Sequence, residues 1–166
     1  MMAEESIDIR RDVRRLVMPL PGAYTRDVTE GITRIEDLPA PQILPRSRNF
    51  RRRCCPSCGG SAYRLRTATR HLHDLGDPLL DRPRLLFVTY SQHRCPGCGT
   101  YFNAPMDDLA LPKSHYTLRV MATAVRLVVE DGLHYRGASW HLWRDHRVFV
   151  PFATVQNWIE GAGEKR

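Results

Sequence analysis

Two copies of one five-residue frame constrain this chain more than anything else in it: Cys55-Pro56-Ser57-Cys58-Gly59 and Cys95-Pro96-Gly97-Cys98-Gly99. A two-residue gap lets both thiolates of a tight turn reach one ion. The proline helps fix the turn, and the glycine lets backbone amides approach the sulfurs. Two such knuckles complete a tetrahedral set of Cys55, Cys58, Cys95 and Cys98 around one Zn²⁺, with Zn–S near ~2.3 Å. Four protein ligands leave no position open for water, so the spacing points to a structural ion rather than a hydrolytic one. Buried core cysteines would not need both pairs in the same frame, and a redox C-x-x-C is expected once, at a βα junction. Cys54 adjoins Cys55 and only one of them can head the first knuckle; the match to the second frame selects Cys55. His71, His73 and His93 lie between the knuckles without knuckle spacing and read as strand or surface residues.

The charge of the chain narrows its partners. Its 166 residues carry 25 basic against 18 acidic side chains, a formal net charge of +7, and four thiolates with one Zn²⁺ would leave it near +5. All the cations except Lys113 and Lys165 are arginine, the planar, permanently charged fork that matches phosphate. A GC-rich genome also raises arginine, so placement carries more than the ratio. From Arg46 to His73 there are eight arginines and no carboxylate. This acid-free run makes double-stranded DNA the expected partner, with Arg51, Arg52, Arg53, Arg64 and Arg66 as phosphate contacts. The charged start, MMAEESIDIRRDVRR, has no apolar core of a secretory signal, and no run reaches the ~18 apolar residues of a membrane span. A cytoplasmic, nucleoid-associated protein is the expectation, and five cysteines in a reducing compartment favour metal over disulfides.

The pattern divides the chain into three parts and predicts an α+β fold. Residues 1–50 show little periodicity apart from a short amphipathic stretch at Ile9 to Met18. The prolines at 39, 41 and 45 read as linker, so this part is expected to be a largely disordered, extended arm. Residues 51–104 hold every cysteine and two strand-like runs, Ser61 to Thr67 and Arg84 to Arg94, as in a small β zinc ribbon. Residues 113–163 change to helical spacing. One stripe runs through Leu118, Met121, Ala122, Val125, Val128 and Val129, a second through Tyr135, Ala138, Ser139, Leu142 and Trp143, and a third through Phe152, Val155, Trp158, Ile159 and Ala162. Gly132 is a natural stop between the first two, and the three tryptophans, Trp140, Trp143 and Trp158, read as core.

Three short helices with tight connections form the layout of a helix-turn-helix, whose last helix lies in the major groove. At 100° per residue, Val155, Trp158, Ile159 and Ala162 share one side of that helix and Ala153, Gln156, Asn157 and Glu160 the other. Asn and Gln can pair with adenine N6 and N7, and a small residue at the helix start permits close approach. Ala153, Thr154, Gln156, Asn157 and Lys165 are therefore the candidate DNA contacts of this part, although a plain solvated face has the same composition.

The order of parts resembles the N-terminal region of insertion-sequence transposases of the ISL-three type. The residues that carry the resemblance are the ribbon frames, His73-Asp74-Leu75, Arg94 through Phe102, Asp131-Gly132-Leu133 with Tyr135-Arg136, and Val150 with Thr154 through Ile159. It covers roughly residues 54 to 163 and implies binding to terminal inverted repeats. In that family the chemistry belongs to a downstream RNase H-like domain with an Asp-Asp-Glu triad and Mg²⁺. The chain ends at Arg166, so that domain is expected to be missing and no catalytic residue is assigned; the adjacent pair Asp107 and Asp108 reads as turn decoration. The resemblance leaves room for a separate catalytic transposase subunit, for a homodimer, for a free-standing transcriptional regulator and for a protein-interaction adaptor.

Overall fold

A computed structural model describes residues 39–80 and 82–163. They form five strands followed by three helices: β1 (Gln42–Arg48), β2 (Arg52–Cys54), β3 (Ser61–Asp77), β4 (Arg82–Arg94), β5 (Tyr101–Asn103), α1 (Leu118–Val129), α2 (Tyr135–His146) and α3 (Phe152–Gly163). The architecture is α+β with one mixed sheet in the order β1-β4-β3-β2, β5 pairing with β4. Two compact units divide the chain. One comprises Gln42–Leu75 and Arg84–Thr123, the other Met1–Pro41, Gly76–Pro83 and Ala124–Arg166 so far as these are described.

In the first unit the long strands β3 and β4 are neighbours, and each adjoins a knuckle that turns into a short antiparallel partner. β2 leads into the first knuckle and pairs with the start of β3, Arg53 opposite Ala62; β5 follows the second and pairs with the end of β4, His93 opposite Phe102. The core of this unit is Leu72, Leu86, Val88 and Ala110, with Leu44, Met106 and Leu109 packed against it. Each large buried aliphatic side chain among these contributes about 1.5–3 kcal/mol.

Two sequence expectations change here. The arm is expected to reach residue 50, yet Gln42–Arg48 is a strand, parallel to β4 with Leu44 opposite Leu86 and Pro45 opposite Phe87. Proline lacks the ladder donor, and β1 tolerates Pro45 because it is an edge strand. Residues 1–38, including Ile9 to Met18, lie outside the described residues. The strand expected over Ser61 to Thr67 instead continues to Asp77.

The second half of β3 is held by the segment that precedes α1. The His73 amide donates to His115 O at 2.8 Å and the Thr117 amide to His73 O at 3.0 Å. Thr117 stands at the start of α1, its hydroxyl facing the Val120 amide at 3.5 Å and donating to Asp74 Oδ1 at 2.8 Å. Asp74 is buried, and Arg119 reaches its other oxygen at 3.5 Å. The threonine hydroxyl meets one orphan amide of the first turn, and the carboxylate behind it suits the positive end of the helix dipole. Burial, followed by the charges of His115 and His71, holds the His73 imidazole down to about 4, so at neutral pH it is an uncharged ring packed on Tyr116.

In the second unit the helices and their connections bury Ala124, Leu127, Ala138, Leu142, Trp143, Val148, Val150 and Val155. Gly132 follows α1 at a φ of 70°, a conformation that glycine adopts without steric penalty. Arg147 closes α2 in the left-handed region, its amide donating back to Trp143 O at 3.0 Å and its guanidinium lying over the Trp143 ring. The Ser139 hydroxyl donates to Val150 O and ties α2 to the connection before α3. Of the tryptophans, Trp143 is buried, and Trp140 and Trp158 are half-buried. The turn at the end of β3 belongs to this unit, and Gly76 packs directly on the backbone carbonyl of His146.

Candidate metal centre

The two knuckles are built on the same hydrogen bonds. In the first, the Gly59 amide donates to Cys55 O at 2.9 Å and the Cys55 amide to Gly60 O at 2.7 Å. In the second, Gly99 donates to Cys95 O at 2.8 Å and Cys95 to Thr100 O at 2.9 Å. Both turns need a left-handed residue, and Gly59 and Gly99 supply it at φ of 73° and 74°. The repeated frame in the sequence is thus a repeated backbone.

These turns bring the Sγ atoms of Cys55, Cys58, Cys95 and Cys98 within 4.8 Å of one another. Cys55 lies 3.5 Å from Cys98 and Cys58 3.5 Å from Cys95. A regular tetrahedron with ~2.3 Å metal–sulfur bonds has edges of about 3.8 Å, so the cluster has the size to hold one metal ion. Cys55 and Cys95 are buried beside Ala62 and Phe102, whereas Cys58 and Cys98 are exposed. At Gly60 a Cβ would lie 3.2 Å from the Cys58 sulfur and 3.6 Å from the Cys95 sulfur, so even alanine would crowd the thiolates. Cys54 is exposed and outside the cluster.

Hydrogen bonds at the cluster pull Cys55, Cys58 and Cys98 apart in acidity. The Cys58 amide is the chief influence holding the Cys55 thiol low. The Thr100 hydroxyl and amide bring Cys98 down to about 6. The Gly60 amide pulls Cys58 in the same direction, but the combined hydrogen bonds of Cys95, Cys98 and Cys55 push it up to about 12. Charge on one sulfur is stabilised at its neighbour's expense, and a divalent cation removes that conflict by replacing the protons.

Around the cluster the arginine run separates into two groups. Several arginines serve the fold: Arg48 pairs with Asp108 at 2.7 Å, and Arg70 donates to Leu111 O and Ser114 O. Arg64 donates to Asn49 Oδ1 at 2.8 Å, Arg66 to Gln92 Oε1, and Arg53 lies over the Phe50 ring. Arg51 and Arg52 are exposed and have no side-chain partner among the described residues. On α3, Val155 is buried, Ala153, Asn157 and Glu160 are exposed, and Thr154 and Gln156 are half-exposed, Gln156 donating to Glu160 at 2.8 Å. Lys165 lies outside the described residues. Gln92 and Asn103, which with Tyr101 and Phe102 line a hollow, carry no motif by which the sequence alone would single them out.

No protein-family model matches this chain, and neither does any curated protein or solved structure. No helix among the described residues is long and apolar enough to cross a membrane.

Proposed function

We propose that this chain is a sequence-specific binder of double-stranded DNA, stapled by one structural Zn²⁺ on Cys55, Cys58, Cys95 and Cys98, and that it recognises transposon ends. The ligand set is what zinc prefers, four thiolates in a closed tetrahedral array with no geometric demand from the metal. One observation carries the DNA reading. α3 follows α2 after a short connection, buries Val155 and leaves Ala153 and Asn157 exposed; in a helix-turn-helix the exposed side of the last helix is the one that meets base edges. Asn157 supplies the bidentate carboxamide, Ala153 allows close approach, and Thr154 sits in the first turn, where backbone amides favour a phosphate. The Gln156 amide is held by Glu160, which leaves Oε1 to accept from a base or a bridging water. Arg51 and Arg52, both exposed, contact the DNA backbone. A protein-docking role has one observation in its favour, the exposure of Leu79 and Leu80 at the turn after β3.

Two classes of variant test the division of labour. Neutralising Arg51 and Arg52 together should weaken all duplexes alike and flatten the slope of log K against log salt by about 0.9 for each phosphate that is no longer neutralised. Asn157→Ala should cost roughly 1–3 kcal/mol on the preferred site and little on random duplex. An unchanged salt slope would make those arginines a solvated surface. Unchanged site preference in Asn157→Ala would remove α3 as the reading head and favour docking through Leu79 and Leu80.

A further inference from the structure

A hollow of about 340 Å³ lies among β3, β4 and β5, lined by Leu65, Arg66, Gln92, Tyr101, Phe102 and Asn103 together with His93. No lining residue is acidic. Arg66 Nε donates to Gln92 Oε1, which leaves the Gln92 Nε2 donors and the Arg66 terminal nitrogens for a ligand. The Asn103 carboxamide has no partner among the described residues and stands opposite Gln92 in the β4–β5 ladder. Tyr101 is 64% exposed, and Arg94 lies over its ring at 5.2 Å. His93 is fully buried and stacked on Phe102, yet its Nδ1 has no hydrogen-bond partner among the described residues. Simple packing does not call for this combination of two carboxamides, two guanidinium groups and an exposed aromatic ring.

We infer that this hollow takes the base of an unpaired nucleotide, so that the β unit is a second nucleic-acid site specific for single-stranded DNA. Carboxamides carry donor and acceptor together and match the edge of a base that is not already paired. An exposed tyrosine offers a stacking face to any base, and the guanidinium groups of Arg66 and Arg94 meet the flanking phosphates. A duplex hides its base faces and cannot enter. This site is independent of the α3 reading and stands if that reading fails.

The test uses the full-length, metal-loaded protein and fluorescent oligothymidylate and oligodeoxyadenylate of about 12 nucleotides, with a duplex for comparison. Tyr101→Ala should weaken single-strand binding about 10-fold or more while duplex affinity stays within about twofold, and Tyr101→Phe should retain the binding. The double variant Gln92→Ala with Asn103→Ala should also lose single-strand affinity, and metal content measured on every variant shows that the cluster is intact. Should Tyr101→Ala shed its metal, the double variant decides. Unchanged single-strand binding in the intact variants overturns the inference, and so does an equal fall for single strand and duplex, which would mark a general phosphate surface. Asn157→Ala should leave single-strand binding untouched, so failure of the α3 reading and failure of this one give different results.

Discussion

Replacing Cys58 or Cys98 by serine should abolish metal binding, from one ion per chain to none, and should unfold the unit that contains the knuckles. The expected loss is large because all four sulfurs converge within 4.8 Å and none can be spared from a tetrahedral set. Apparent binding energies of structural zinc sites are about 10–16 kcal/mol, comparable to or above the whole stability of a typical small domain. The unit has little to put in its place. Near the knuckles its apolar contacts are Ala62 and Phe102 packed with Cys55 and Cys95, and the larger cluster around Leu72 draws on other parts of the strands. Elemental analysis and far-ultraviolet circular dichroism of each variant, with and without a chelator, measure both effects. Cys54→Ser is the control and should keep its metal, since Cys54 lies outside the cluster. A Cys58→Ser protein with a full complement of metal and native structure would mean that the cluster is not a four-thiolate site.

The second large effect is expected at Gly76. A Cβ there would fall on the His146 carbonyl oxygen and within 2.7 Å of the Arg82 carbonyl oxygen. Both obstacles are backbone, so neither can rotate aside, and Gly76→Ala must displace the end of β3 from the C-terminus of α2. Overpacking of this kind costs about 3 kcal/mol, which corresponds to a fall in Tm of roughly 6–12 °C for a chain of this size. Differential scanning calorimetry of the metal-loaded protein reads it directly. An unchanged Tm would show that the end of β3 does not pack on His146.

What was legible in the sequence followed from how local each signal is. The knuckles are complete within five residues, so Cys55 could be chosen over Cys54 without a fold. The helices announced themselves because Leu118 to Val129 and the two later stretches repeat at three and four residues, and α1, α2 and α3 occupy those positions. β1 was hidden because three prolines between 39 and 45 imitate a linker, and only its pairing with β4 shows an edge strand. The second half of β3 was hidden for a different reason. Arg70, His71, His73 and Asp74 are polar on both faces, and they lie in a strand because residues 106–117 cover them and supply partners such as Thr117, Leu111 O and Ser114 O. The same long-range contacts show which arginines support the fold. Nothing near Arg48 or Arg70 in sequence reveals that Asp108 and two distant carbonyls bind them.

Whether α3 reads DNA sequence is decided by selecting bound sites from a random pool of duplex DNA, in parallel on the metal-loaded protein and on Asn157→Ala. The native protein should enrich a defined motif, and Asn157→Ala should relax it at one or two adjacent positions, each worth about 1–3 kcal/mol of discrimination, while the other positions persist. A pool that stays random after repeated rounds with folded, metal-loaded protein would contradict sequence-specific binding, and the same motif recovered unchanged from Asn157→Ala would contradict reading by α3.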